Sequence, residues 1–141
     1  MARYYPVSPH FWTDPKARRW DDATRLLAAY TLTCEHRNLE GLYRLPLTYI
    51  AADLGWGGGK VKRVLDRLIE DGFLMYDADA EVVFVCKSLK YQAPKNERQV
   101  KGAVNVLMEV PPNRLHEAFM EAVQSYAPAL AEALSNGYRK P

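Results

Sequence analysis

Three short stretches of this chain carry residue types that do chemistry when correctly spaced. The first is Gly55-Trp56-Gly57-Gly58-Gly59-Lys60-Val61. A phosphate loop cradles phosphate with glycine N–H groups, reaches it with a lysine and follows that lysine with Ser or Thr for magnesium. Here the first glycine of that spacing falls on Leu54, Val61 follows the lysine, and the segment comes after helical rather than strand periodicity. Nucleotide binding is therefore not expected. The second stretch, Cys34-Glu35-His36, offers two metal ligands, but the others would have to come from Cys86, His10 or His116 without any signature spacing. Both cysteines read more simply as small core residues. The third type is paired carboxylates, Asp21-Asp22 and Glu70-Asp71, which lie at helix ends where capping accounts for them. No catalytic constellation emerges, so the expectation is a non-enzymatic protein without cofactor or metal.

Charge is more informative than these motifs. The 141 residues carry a net charge of only +2, but it is unevenly spread. Lys60, Lys62, Arg63 and Arg67 stand against Asp66 alone, and Lys87, Lys90, Lys95, Arg98 and Lys101 against Glu97 alone. Residues 102–136 reverse the sign, with Arg114 against Glu109, Glu117, Glu121 and Glu132. A basic middle and an acidic end suggest two faces with different partners. With 48% hydrophobic and 26% charged residues the balance is that of an ordinary folded domain. No apolar run exceeds five residues, against roughly 20 for a membrane span, and no secretory leader is visible. A cytoplasmic protein with no membrane partner is expected.

The elements that must position these charges follow from periodicity. Residues 1–20 are rich in aromatics and proline, with Asp14-Pro15 reading as an N-cap before a proline at the first helical position. Asp21 or Asp22 caps a helix whose apolar residues recur at Ala23, Leu26, Leu27, Tyr30, Thr31 and Cys34. A very short strand at residues 42–45 leads to a helix over about 47–54 that stops at Gly55. The triple glycine reads as a turn, and the segment 60–70 then places Val61, Val64, Leu65, Leu68 and Ile69 on one stripe with its cations outside it. Residues 73–76 and 81–85 form a hairpin across Asp77-Ala78-Asp79-Ala80. Lys87 to Lys95 reads as a connector, Asn96-Glu97-Arg98-Gln99 as a capping box, and further helices follow on either side of Pro111-Pro112 and after Pro128.

Helix, short strand, helix, helix, hairpin is the order of a winged helix, in which the third helix enters the DNA major groove. The expected fold is mainly α with a small β-hairpin (α+β), a winged helix-turn-helix with N-terminal and C-terminal helical extensions. The division is an aromatic extension at 1–20, the winged-helix domain at 21–95, a helical extension at 96–136 and a tail at 137–141. Lys60, Lys62, Arg63 and Arg67 would pair with phosphates, and the two arginines could reach guanine. The glycines leave that helix start open to a phosphate. Asp77, Asp79 and Glu81 make the wing acidic and repelled by a phosphate backbone, so Lys87, Lys90 and Lys95 must supply the remaining contacts. Trp56 and Tyr91 flank these basic segments, where packing with one wet edge is the simpler role and stacking on unpaired bases the alternative.

Several segments also resemble a family. Arg3-Tyr4, Phe11-Trp12-Thr13-Asp14, Leu26-Leu27-Ala28, Leu32-Thr33-Cys34, Gly41 through Pro46, Tyr49-Ile50-Ala51, Asp53 through Trp56, and Leu89-Lys90-Tyr91 are similar to phage-type replication initiation (replisome organiser) proteins. These are related to the N-terminal domain of DnaD-like primosomal proteins, and the likeness runs over residues 3–110. The resemblance implies a winged helix that self-associates through its flanking segments and assembles a replication-initiation complex on double-stranded DNA. Its partners would be replication proteins such as a helicase loader, and a homo-oligomer is expected. The stretch after Pro112 is too short for the second helical domain of fuller relatives. Two other readings of the same residues stay open: an assembly module that touches DNA little, and a transcriptional regulator reading a symmetric operator.

Overall fold

Short polar residues, Asp14, Asp21 and Asn96, cap three of the described helices, and Gly55 ends another in the left-handed conformation. The structure, a computed structural model, describes residues 5–137; Arg3-Tyr4 and residues 138–141 of the expected tail lie outside the described residues. Two short helices, α1 (His10–Thr13) and α2 (Pro15–Arg19), precede α3 (Asp22–Thr33). Then come β1 (Leu42–Arg44), α4 (Leu47–Leu54), α5 (Gly58–Glu70) and the hairpin β2 (Leu74–Asp77) and β3 (Val82–Val85). The chain continues through α6 (Ser88–Gln92), α7 (Glu97–Met108), α8 (His116–Tyr126) and α9 (Pro128–Gly137). It is mainly helical, with a small antiparallel sheet. Among the described residues no helix is long and apolar enough to cross a membrane.

The caps form largely as their residue types dictate. The Asp14 carboxylate accepts the Lys16 and Ala17 N–H groups with Pro15 at the first helical position, and Asp21 accepts that of Thr24 at 2.9 Å. Asn96 accepts the Gln99 N–H at 2.8 Å, but the Gln99 side chain takes the Lys95 N–H rather than closing a reciprocal box. The expected connector contains α6. In α3 the buried face is Thr24, Leu27, Ala28 and Thr31, one residue around from the apolar stripe, and Leu26 is 49% exposed. Two threonines can face inward because their hydroxyls are satisfied: Thr24 donates to Asp21 and Thr31 to the Ala28 carbonyl.

The sheet order is β1-β3-β2, so β3 is central. Its four residues are all buried, and their alternation serves two cores. Val83 and Val85, with Tyr43 and Leu74 beside them in register, face a layer made by α2 to α5. Val82 and Phe84, with Leu42, face a second layer made by α6 to α9, where Phe84 meets Phe119 edge to face at 5.5 Å. Gly41 enters β1 at φ +82°, and a Cβ there would stand 2.5 Å from the Ser88 side chain.

The hairpin tip differs from its expected form. Asp77 lies within β2 and is 3% exposed, and Glu81 occupies the connection with φ +57°. The Asp77 carboxylate accepts N–H groups from Asp79, Ala80 and, at 2.8 Å, Arg114. It closes its own turn and ties the hairpin to the residues before α8. These N–H groups, that of Arg114 foremost, hold its carboxyl below the usual 3.8.

A depressed carboxyl contributes stability that is complete above the ordinary value and is lost as pH falls through the folded one. Asp77→Ala should destabilise the fold by about 2–4 kcal/mol, because three donors lose their acceptor, whereas Asp79→Ala at the exposed tip should change it by about 0.5 kcal/mol or less. Asp77→Asn should flatten the acid side of the stability profile. Urea unfolding from about pH 7 to about pH 2 measures all three.

Candidate nucleic-acid interface

Gly55 ends α4 in the left-handed conformation at φ +70°, and the Trp56 N–H returns to the Ala51 carbonyl. Gly57 is extended and begins α5 without any side-chain cap. The triple glycine is thus not a free turn. Gly58 and Gly59 are the first two helical residues, and the helix starts two positions before Lys60. A Cβ at Gly57, Gly58 or Gly59 would meet nothing within 4 Å. The first-turn N–H groups therefore lack a side-chain cap, and the space where the glycine side chains would stand is open, an arrangement that favours an anion at a helix start.

The cations of α5 are exposed, and most have local partners. Lys60 stands over the half-buried Trp56 ring at 4.7 Å. Lys62 pairs with Asp66 at 2.9 Å, and the Arg67 Nε with Asp71 at 3.3 Å. Arg63 makes no hydrogen bond or ion pair among the described residues. Exposed pairs four residues apart contribute about 0.3–0.5 kcal/mol, so a phosphate can displace Asp66 from Lys62 at little cost. Arg67 is held more firmly. Its partner Asp71 also accepts the Trp20 indole N–H at 2.6 Å, the main cause that keeps that carboxyl below its usual range.

The network around Asp71 adds residues that the sequence reading passed over. Lys16 donates to the Asp71 carbonyl at 2.7 Å, which sets the exposed Lys16, Arg18 and Arg19 of α2 beside the C-terminal end of α5. Arg25 bridges α3 to α2 by donating to the Ala17 and Arg18 carbonyls. The run Lys16-Ala17-Arg18-Arg19 was visible as charge, but nothing local linked it to residues fifty positions away. Lys87, Lys90 and Lys95 are exposed around α6, Lys90 standing 5.5 Å from the Tyr91 ring centre.

The other candidate groups have structural partners. Asp79 pairs with Arg114 at 3.7 Å and Glu81 with Arg44 at 3.0 Å, so the hairpin carboxylates are partly neutralised. Cys34 is buried 3.7 Å from the Tyr43 hydroxyl, and burial raises its thiol pKa, the opposite of a reactive thiolate. His36 lies 3.8 Å from Asp53 and stacks on Tyr49. Among the described residues no three His, Cys, Asp or Glu side chains gather as a metal site.

If the glycines serve approach rather than packing, the fold does not need them. Gly59→Ala should raise stability by about 0.5 kcal/mol, since alanine is the better helix residue and nothing obstructs its methyl group. Chemical denaturation of the variant checks this.

Compared with known proteins, the chain matches no protein-family model, no curated protein and no solved structure.

Proposed function

We propose that this chain is a winged-helix protein that binds double-stranded DNA through α5 and acts in phage-type replication initiation as a homo-oligomer. One observation carries the reading: an amphipathic helix buries Val61, Val64, Leu65 and Leu68 and leaves Lys60, Lys62, Arg63 and Arg67 exposed beside an uncapped glycine start. The order helix, strand, helix, helix, strand, strand, with β1 beside β3, supports it. So does the resemblance of the quoted segments to replisome organiser proteins. In this reading the helix start holds one phosphate by its N–H groups and the four cations of α5 hold others. Lys87, Lys90 and Lys95 add phosphate contacts, and a helicase loader or similar replication protein is the partner that the resemblance implies.

One observation favours a second reading. Two of the four α5 cations already have carboxylate partners, Asp66 and Asp71. A face of paired charges also suits an assembly module that meets another replication protein and touches DNA little.

Titration of random duplex in a salt series decides between them. Neutralising about four to six phosphates should give a log–log slope of about −4 to −5. Lys62→Ala with Arg63→Ala should reduce that slope by about two and leave the fold intact, because neither side chain is buried. Binding that is flat in salt, or unchanged by the double substitution, would reject the DNA reading and leave the assembly module.

A further inference from the structure

Three hydrogen bonds converge on Asp71 and fix α2 against the end of α5. The Lys16 ammonium donates to the Asp71 carbonyl at 2.7 Å, and the Trp20 indole and the Arg67 Nε donate to one carboxylate oxygen at 2.6 and 3.3 Å. On its other side α2 is tied to α3, where Arg25 donates to the Ala17 and Arg18 carbonyls at 3.0 and 2.8 Å. The start of α3 lies at the same end of α5. Thr24 chiefly holds the Asp21 carboxyl below its usual range, and Arg63 and Arg67 are close enough to lower it further. A helix of five residues is thereby held in one position relative to α5.

Most of the charges at this junction are committed. Asp14 and Asp21 cap helices, Asp22 pairs with Arg25 at 3.4 Å, and Asp71 takes the donors just named. The Arg18, Arg19 and Arg63 side chains are exposed and make no hydrogen bond, ion pair or ring contact among the described residues. Glu70 is the carboxylate of the junction that is likewise unpaired among the described residues. Three uncommitted guanidinium groups against one carboxylate leave the junction cationic where it meets water. Each guanidinium carries a planar fork of donors with no acceptor inside the described molecule. Ala17 is the residue that α2 buries, so neither of its arginines is needed for packing.

We propose that α2 is a second phosphate-binding element, whose Arg18 and Arg19 hold the sugar–phosphate backbone of the duplex that α5 enters. The inference rests on the duplex-binding reading above and extends its footprint. A helix lying in a groove has phosphate backbone beside it, and an element fixed at its end meets that backbone rather than the base edges. Guanidinium groups pair with phosphate oxygens through two parallel hydrogen bonds. Because α2 is already held by α3 and α5, little freedom is lost when it binds. Such contacts add affinity without sequence preference and fix the orientation of α5 in the groove.

The test titrates the full-length chain with duplexes of two unrelated sequences in a salt series. Arg18→Ala with Arg19→Ala should weaken both duplexes alike, about tenfold at about 0.1 M salt, and reduce the log–log slope by about two. Arg98→Ala with Lys101→Ala removes two exposed cations from α7, in the other layer, and should change the slope by less than about one. A slope that falls no further for the α2 pair than for the α7 pair, while Lys62→Ala with Arg63→Ala still lowers it, overturns this inference and leaves the α5 reading in place. Parent binding that is flat in salt overturns both. A loss confined to one of the two sequences also overturns the α2 assignment, because phosphate contacts carry no sequence information.

Discussion

The burial of β3 on both faces is the constraint on which the rest depends. A strand flanked by β1 and β2 has its backbone hydrogen bonds satisfied, so its four apolar residues commit alternate side chains to opposite layers. Val83 and Val85 require α2 to α5 above them, and Val82 and Phe84 require α6 to α9 below. Neither layer is optional. Without either layer two apolar residues of β3 and their neighbours in register would face water, which the hydrophobic effect opposes. The C-terminal helices are therefore structural cover for the sheet, whatever else they contact.

From that constraint follows what is left for function. The helices that cover the first face bury one stripe each, and the residues outside those stripes form the surface. In α5 the inward positions are taken by Val61, Val64, Leu65 and Leu68, which leaves Lys60, Lys62, Arg63 and Arg67 outward beside Ile69 and Glu70. The same logic turns the hairpin from a free wing into a clamp. Asp77 sits where Arg114 offers its backbone N–H, so the tip is drawn toward the second layer instead of standing away from the domain. Asp71 plays the corresponding part at the C-terminal end of α5, joining Trp20, Arg67 and Lys16 at one carboxyl and one carbonyl.

Much of the architecture was legible from the residues, and the exceptions share a cause. Asp14, Asp21 and Asn96 cap helices because the partner N–H lies two or three residues ahead, a distance that local sequence settles. The α5 stripe was legible at Val61, Val64, Leu65 and Leu68, whose period is unbroken, whereas Ile69, expected on the same stripe, lies at its edge and is 38% exposed. The inward face of α3 was misplaced by one position because Thr24 looks polar until its hydroxyl is given an acceptor. The acidic tip read as exposed because the group that buries Asp77, the Arg114 N–H, comes thirty-seven residues later. Buried Arg37 gave no signal at all, since arginine in a turn ordinarily points to solvent.

The sequence by itself determined where α2, α3 and α7 are capped, that a basic amphipathic helix lies beside the glycines, and that β2 and β3 are short and antiparallel. Those are consequences of caps, periodicity and turn chemistry acting over a few residues. Only the tertiary structure decided that the sheet is covered twice, that Asp77 is an anchor, and that α2 abuts the end of α5. Each of these joins groups far apart in the chain, and such pairings are set by which faces must leave water together, a condition that no local window contains.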